Sequence, residues 1–314
     1  PLGHGTNIAG FGVPAKALYS SLVNDVLLED PIEPDAELPA LGKKILTFTD
    51  SRQGTATFAG KQGILAEMDA TRVWILAHLL ETPNEDVSVR EMLRFIRRKI
   101  VDVRNQINHI PNGNNANQLS YKECFNLPHD IADELITDRS LANLFLWREL
   151  TFRSRRKRSL ESLGLLRVMY DGLDQIPAPQ NAALDALHFT DESYQKCLKI
   201  ILDFGFRQRG AVEADGWIDS QIRACYGSNV APGPVDVSVF DQDEPSDCVI
   251  AKILLYYLRN ENGAADSITD LIRNNWNLIR VLAKQIIEDL IESQIINGAN
   301  NKYKLDFSSI LFGK

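Results

Sequence analysis

The chain has 314 residues, enough for two or three domains, and its 44% hydrophobic and 24% charged residues are ordinary for a globular protein. A net charge of -8 at pH 7 excludes a protein that coats nucleic acid over its whole surface, although a local basic face is compatible with it. Four cysteines without C-x-x-C spacing, and no apolar run near the roughly 20 residues of a membrane span, predict free thiols in a cytoplasmic protein.

The first part of the chain predicts an extended tether followed by half of a βαβ unit. Residues 1–40 are rich in Gly and Pro, whereas residues 43–49 have the apolar and β-branched side chains of a buried strand. Ser51 is suited to cap the helix predicted after that strand, and residues 71–80 predict another helix. A buried strand that leads directly into a helix is typical of an open α/β sheet.

Beyond residue 83 the pattern is mainly helical. Apolar residues starting at Val89 recur on one face of a predicted helix, and the opposite face carries Arg90, Arg94, Arg97 and Arg98. This basic face is either a nucleic-acid surface or a solvated one. The other predicted elements are helices over residues 141–151, 159–164, 191–206 and 247–259 and a candidate strand over residues 235–240.

The C-terminal stretch predicts helices followed by a β-hairpin. Ser267 and Asp270 form a capping-box pattern, and Leu282 and Leu290 share one face of a long helix. Residues 298–301 separate two short strands, as expected for a hairpin. Three helices and a hairpin in this order resemble a winged-helix domain. Because the long helix carries acidic as well as basic residues, we expect it to support the fold rather than to read DNA.

Polar residues lie where the predicted strand over residues 43–49 meets the next helix. Thr49, Ser51 and Arg52 would stand at the carboxyl end of the strand and in the first helical turn, the edge at which open α/β sheets bind ligands. Helix N-termini offer free N–H groups to a phosphate, and an arginine adds a bidentate donor. The pattern therefore predicts a site for a phosphate backbone.

The same stretch carries a family resemblance. Residues 44–59, KILTFTDSRQGTATFA, resemble motif IV in the second RecA-like lobe of bacterial superfamily 2 helicases of the DEAD/DEAH class. The resemblance is strongest to large helicases with a DUF1998-type C-terminal region, with relatives in DISARM-like and Druantia-like phage defence and in DNA repair. Two further phrases resemble that family: WRE with SLESLGL, at residues 147–149 and 159–165, and LDFGFRQRGAVEADG, at residues 202–216.

The resemblance implies which residues touch the nucleic-acid backbone, namely Thr49, Ser51 and Arg52. Arg52 has an alternative role, which is to form a salt bridge with a structural carboxylate. A second candidate for strand binding is a basic run, because several adjacent cations neutralise phosphates and make binding salt-dependent. The alternative for this run is a solvated helix end. The basic run consists of Arg153, Arg155, Arg156, Lys157 and Arg158.

The sequence contains none of the motifs with which a helicase hydrolyses ATP. The phosphate loop G-x-x-x-x-G-K-[ST], the acidic DEAD or DEAH motif and the arginine-finger motif Q-x-x-G-R-x-G-R do not occur. We therefore expect no catalytic residue, no metal site and no cofactor in this chain. ATP and Mg²⁺ would belong to a longer parent protein, of which the chain is expected to be a fragment.

The whole sequence predicts an α/β plus mainly α fold in three parts: the start of a second RecA-like lobe over residues 1–82, a helical insertion over 83–245 and a winged-helix-like module over 246–314. The expected function is a part of an ATP-dependent helicase or translocase in phage defence or DNA repair. Its expected partners are DNA, the remaining helicase lobes and defence-system subunits, and no membrane. The alternative is a non-enzymatic helical and winged-helix adaptor that binds protein or DNA.

Overall fold

The computed structural model describes residues 52–82, 85–109, 120–125, 136–151, 159–213, 233–259 and 267–314. These residues are mainly helical and include two small antiparallel sheets, which agrees with a mixed, mainly helical fold class. The α-helices are α1 (Arg52–Glu81), α2 (Val89–His109), α3 (Tyr121–Cys124), α4 (Asp138–Thr151), α5 (Asp191–Ile200), α6 (Val249–Leu258) and α7 (Ile268–Glu292). The strands are β1 (Val87–Ser88), β2 (Arg167–Tyr170), β3 (Val235–Asp236), β4 (Ile296–Ala299), β5 (Lys302–Leu305) and β6 (Ile310–Gly313).

One uninterrupted helix, α1, covers the stretch for which the sequence predicted two helices. It begins at Arg52 and continues for 30 residues, although each of its glycines costs about 1 kcal/mol of helix stability relative to alanine. Burial of apolar side chains at helical spacing, among them Met68, Ile75 and Leu79, outweighs that cost. The strand predicted over residues 43–49 and the predicted cap Ser51 lie outside the described residues.

The described residues fall into two compact units. The first lies within Pro1–Trp74 and Phe95–Phe145, and the second lies within Ile75–Arg94 and Leu146–Lys314. Compactness by itself does not identify a RecA-like lobe or an insertion, so the three-part organisation expected from the sequence stays a prediction.

In the first unit, aromatic contacts hold the short helix α3. The guanidinium of Arg104 on α2 lies 4.3 Å from the centroid of the Tyr121 ring, a cation–π contact. The ring of Phe125 meets the edge of Phe145 on α4 at 5.6 Å between centroids. Ile100 on α2 is fully buried, as predicted for the apolar face of this helix.

In the second unit, the C-terminal strand β6 is the centre of one sheet. It pairs antiparallel with β1 on one side and with β2 on the other. Phe312 is therefore in register with both Val87 and Val168, and all three side chains are buried. This pairing brings segments that are far apart in the sequence into one layer of the core.

The other sheet of the second unit contains the predicted hairpin. β4 pairs with β5, and Asn300 and Asn301 form its two-residue turn with φ of 53° and 61°. Positive φ at both central residues is the geometry that matches the twist of a tight hairpin, and asparagine tolerates it well. β3 adds to the outer side of β5, so the strand order is β3-β5-β4. Along the chain, α5, β3, α6 and α7 precede this hairpin.

Close backbone approach in the hairpin requires glycine at residue 298. A Cβ atom built there would lie 2.1 Å from the carbonyl oxygen of Lys302, a backbone atom that cannot move aside cheaply. We expect Gly298→Ala to lower the free energy of unfolding by about 1–3 kcal/mol, measured by urea denaturation. Gly205→Ala is the matched control, because its Cβ would meet only ordinary contacts of 3.6 and 3.7 Å. Equal stability of the two variants would contradict this geometry.

Two further predicted elements are shorter than the sequence pattern indicated. The helix predicted over residues 191–206 is α-helical only as far as Ile200, and Ile201–Phe206 is a π-helix followed by a 3₁₀ turn, Arg207–Arg209. The strand predicted over residues 235–240 is limited to β3, since the next residues form the 3₁₀ helix Ser238–Asp241. A π-helix is rare and occurs mostly as a single turn, so helical periodicity in the sequence does not distinguish it from an α-helix.

Candidate nucleic-acid interface

The residues predicted to contact nucleic acid lie mostly beyond the described ranges. Arg52 is the first residue of α1, so its backbone lies in the first turn of the helix, as the sequence predicted. Thr49 and Ser51 lie outside the described residues. The same holds for the arginines of the basic run, Arg153, Arg155, Arg156 and Arg158.

The described residues on either side of the basic run are tied to each other. α4 ends at Thr151, whose hydroxyl donates to the carbonyl oxygen of Trp147 at 2.8 Å. After the run, the buried N–H of Leu160 donates to Oε1 of Glu149 at 2.8 Å. Because Glu149 is itself buried, this hydrogen bond fixes where the chain leaves α4 and where it returns.

The phrase SLESLGL forms one capped helical turn rather than the short helix predicted. The Ser159 hydroxyl accepts a hydrogen bond from the backbone at the third residue after it, as an N-cap does. The N–H of Gly164 donates to the carbonyl of Glu161 at 3.0 Å, and the N–H of Leu165 donates to the carbonyl of Leu160 at 2.9 Å. These two bonds are a Schellman closure, for which Gly164 takes a φ of 69°.

Both flanks of the basic run converge on one buried arginine. Arg207 is 1% exposed, and its Nη1 donates to the carbonyl oxygen of Leu150 in α4 at 3.0 Å. Its Nη2 donates to both carboxylate oxygens of Glu161 at 2.9 Å and to Oδ1 of Asp203 at 2.8 Å. A single guanidinium therefore joins α4, the SLESLGL turn and the π-helix that carries Asp203.

Tyr170 and Lys199 complete the hydrogen bonding around Asp203. The Tyr170 hydroxyl donates to Oδ1 of Asp203 at 2.7 Å and accepts from Nε of Arg207 at 3.2 Å. Nζ of Lys199 donates to Oδ2 of Asp203 at 2.6 Å. Buried charges are tolerated only when they are paired and hydrogen-bonded in this way, so these residues form a cooperative structural cluster.

The pKa values of Asp203 and Tyr170 are shifted in opposite directions by the cluster. Burial raises the pKa of Asp203, but the positive charges of Arg207 and Lys199 outweigh it and lower the pKa below its ordinary value. Burial raises the pKa of Tyr170 well above its usual range, although Arg207 acts in the opposite direction. At neutral pH the carboxylate is therefore ionised and the phenol is neutral, so neither is poised for general acid–base catalysis.

Sequence reasoning missed this cluster, although the phrases that resemble the helicase family contain most of it. Glu149 and Glu161 come from the WRE and SLESLGL phrase, and Asp203 and Arg207 come from LDFGFRQRG. An aspartate and an arginine four residues apart in an otherwise apolar stretch were the signal of a buried ion pair. The two phrases are thus joined by structural contacts in the second unit.

The basic residues of α7 are engaged by acidic side chains of the same unit. Nη1 of Arg280 lies 2.7 Å from Oδ1 of Asp243, and Nζ of Lys284 lies 2.8 Å from Oδ1 of Asp241. The positive charges of the long helix are thus engaged within the unit, and its supporting role stays a prediction.

The arginines of the predicted basic face of α2 differ in their contacts. Nε of Arg97 lies 2.5 Å from Oδ2 of Asp138 on α4, and the guanidinium of Arg98 lies 5.6 Å from the centroid of the Phe95 ring. Arg90 is exposed to solvent. Two of the four arginines therefore make structural contacts, and the choice between a nucleic-acid surface and a solvated one stays a prediction.

The cysteines within the described residues are Cys124, Cys197 and Cys248. Cys197 is buried, and burial raises the pKa of its thiol to about 12, which makes it unreactive at neutral pH. Cys124 and Cys248 are half-buried. Within the described ranges, no group of three or more His, Cys, Asp or Glu side chains is placed to hold a metal ion. None of the described helices combines the length and apolar character needed to cross a membrane.

The described geometry can therefore do two things. It starts α1 at Arg52, and it clamps both flanks of the basic run through Arg207. Comparison of the chain with protein-family models, with curated proteins and with solved structures finds no match in any of the three.

Proposed function

We propose that this chain is part of an ATP-dependent nucleic-acid helicase or translocase, in which it contributes binding of a DNA strand. The observation that carries the proposal is that α1 begins at Arg52, directly after Thr49 and Ser51. A helix that begins there offers free backbone N–H groups and the positive end of its dipole beside an arginine. This is the chemistry that a phosphate backbone requires.

The C-terminal topology supports the winged-helix component of this proposal. A winged-helix module has helices followed by a hairpin wing, and within the described residues of 246–314 the helices α6 and α7 precede the hairpin β4–β5. β3 widens the wing into a three-stranded sheet. In this proposal residues 1–82 begin a RecA-like lobe, residues 83–245 are an insertion, and residues 246–314 are the winged-helix-like module.

The basic run is the second strand contact in this proposal. Hydrogen bonds from Arg207 and to Glu149 hold the residues on both sides of the run in place. Sites built on rigid supports bind with less loss of conformational entropy. The chain lacks a phosphate loop, and we assign no step of ATP hydrolysis to it. The parent motor would supply that site and would act in phage defence or DNA repair.

The strand contact at α1 is tested by single-stranded DNA binding, measured by fluorescence anisotropy at low and moderate salt. We expect Arg52→Ala to weaken binding about fivefold, which corresponds to about 1 kcal/mol. Lys61→Ala is the matched control, because Lys61 lies on the same helix, about 13 Å along its axis from Arg52. Equal affinities of the two variants would assign Arg52 to a structural salt bridge.

One observation favours a second function, a non-enzymatic adaptor. Arg280 and Lys284 are engaged by Asp243 and Asp241, so the long helix of the C-terminal module offers little free positive charge to DNA. A module of this kind can serve protein contacts instead. The sequence of the full gene product distinguishes the two functions: a phosphate loop upstream and a glycine–arginine motif downstream support the motor, and their absence supports the adaptor.

A further inference from the structure

A short acidic segment lies across the helix and the hairpin of the C-terminal module. This acidic strap, residues 235–243, comprises β3 and the 3₁₀ helix that follows it, and it contains no basic residue. Apolar contacts anchor it, since the ring of Phe240 stacks on Trp276 of α7 at 5.8 Å between centroids. The indole N–H of Trp276 also donates to the carbonyl oxygen of Gln242 at 3.2 Å.

The carboxylates of the acidic strap meet basic residues of α7. Asp243 pairs with Arg280 at 2.7 Å, and Asp241 pairs with Lys284 at 2.8 Å. Arg280 and Lys284 are one helical turn apart and therefore share one face of α7.

The acidic strap also reaches the hairpin. Oδ2 of Asp241 accepts a hydrogen bond from the Asn301 side chain in the hairpin turn at 2.7 Å. Asp236 stands in register opposite Lys302, the first residue of β5. Hydrogen bonds from Ser238 lower the pKa of Asp236, and the charge of Lys302 adds to this effect. Three acidic residues of the strap thus face three basic residues on the helix and the hairpin.

We propose that the acidic strap is an autoinhibitory contact, in which Asp236, Asp241 and Asp243 occupy the positions that nucleic-acid phosphates would take on α7 and the hairpin. Carboxylate and phosphate oxygens accept the same hydrogen bonds from arginine and lysine. The Asp243 side chain is 96% exposed and that of Lys284 is 49% exposed, so phosphate can replace these partners while the Phe240–Trp276 anchor stays packed. The inference rests on the proposed nucleic-acid function and adds its regulation.

The test uses the full chain and two short fluorescein-labelled DNA probes, one single-stranded and one duplex, at low salt. We expect the variant Asp236→Asn, Asp241→Asn, Asp243→Asn to bind about tenfold more tightly than the wild type. Adding Arg280→Gln and Lys284→Gln should abolish this gain. The single variant Asp243→Asn alters one exposed ion pair and should show a smaller gain in DNA affinity. It replaces the triple variant in the test if the triple variant does not fold.

The matched control changes net charge equally within the same compact unit. Glu244, Glu288 and Glu292 are exposed, and their replacement by Gln adds the same three units of charge without touching the strap pairs. An equal gain in this control, or no gain in either variant, would overturn the inference. The experiment also separates this inference from the proposed strand contact at Arg52. If the wild type does not bind DNA but the strap variant binds it, and Arg280→Gln removes that binding, the contact at Arg52 is refuted and the autoinhibitory strap is retained.

Discussion

Replacing the buried Arg207 with methionine is expected to lower the free energy of unfolding by about 3–5 kcal/mol. The substitution leaves the Asp203 carboxylate buried with one cationic partner, Lys199, and removes the donors to Leu150 and Glu161. A buried carboxylate with fewer partners and a buried carbonyl without a donor destabilise the fold by more free energy than the ion pair contributed. Because many domains have only 5–15 kcal/mol of total stability, the urea midpoint should fall strongly.

Arg209→Met is the matched control for this prediction. Arg209 belongs to the same 3₁₀ turn as Arg207 but is exposed, so its replacement should change stability by no more than about 0.5 kcal/mol. Arg207→Lys should fall between the two, because an ammonium cannot reach both Glu161 and Leu150 with a guanidinium's geometry. If Arg207→Met and Arg209→Met unfold at the same midpoint, the cluster does not hold these elements together.

The pH dependence of stability provides a second readout of the cluster. The lowered pKa of Asp203 contributes stability above the unfolded value of about 3.9, and this contribution is lost as pH falls through the lower folded value. Removing Arg207 removes the largest cause of the lowering. The decrease in the free energy of unfolding below pH ~4 should therefore be shallower in Arg207→Met than in the wild type.

Neutralising the arginines of the basic run is expected to weaken single-stranded DNA binding by about 100-fold at low salt. Each arginine that contacts a phosphate releases counterions, so four such contacts contribute about 3 to the slope of log affinity against log salt. The variant should lose most of that slope and should keep its unfolding midpoint, since the clamp from Arg207 is unchanged. The substitutions are Arg153→Gln, Arg155→Gln, Arg156→Gln and Arg158→Gln.

The matched control removes four positive charges elsewhere on the surface. It replaces by Gln four exposed arginines, Arg139, Arg167, Arg209 and Arg259. Net charge then falls equally, and only a local strand contact distinguishes the two variants. A control that loses as much affinity and slope as the basic-run variant would show that the run is a solvated helix end.

Local sequence signals predicted the elements that depend on neighbouring residues. The apolar face of α7, with Leu282 and Leu290 fully buried, follows from helical periodicity, which requires no knowledge of the packing partner. Ser267 caps that helix as its pattern indicated, and it accepts from the N–H of Asp270. The tight hairpin follows from its turn residues, because asparagine tolerates the positive φ observed at residues 300 and 301.

Tertiary structure alone decided the features that join distant segments. The sequence shows Glu161, Asp203 and Arg207 in two phrases, but only the fold brings both carboxylates to one guanidinium, because ion pairing depends on distance in space. The contacts of the π-helix Ile201–Phe206 and of the acidic strap also join segments that are distant in the sequence. Charge patterns along a chain do not reveal which opposite charge lies within 3 Å, so the engagement of Arg280 by Asp243 became visible only in the folded structure.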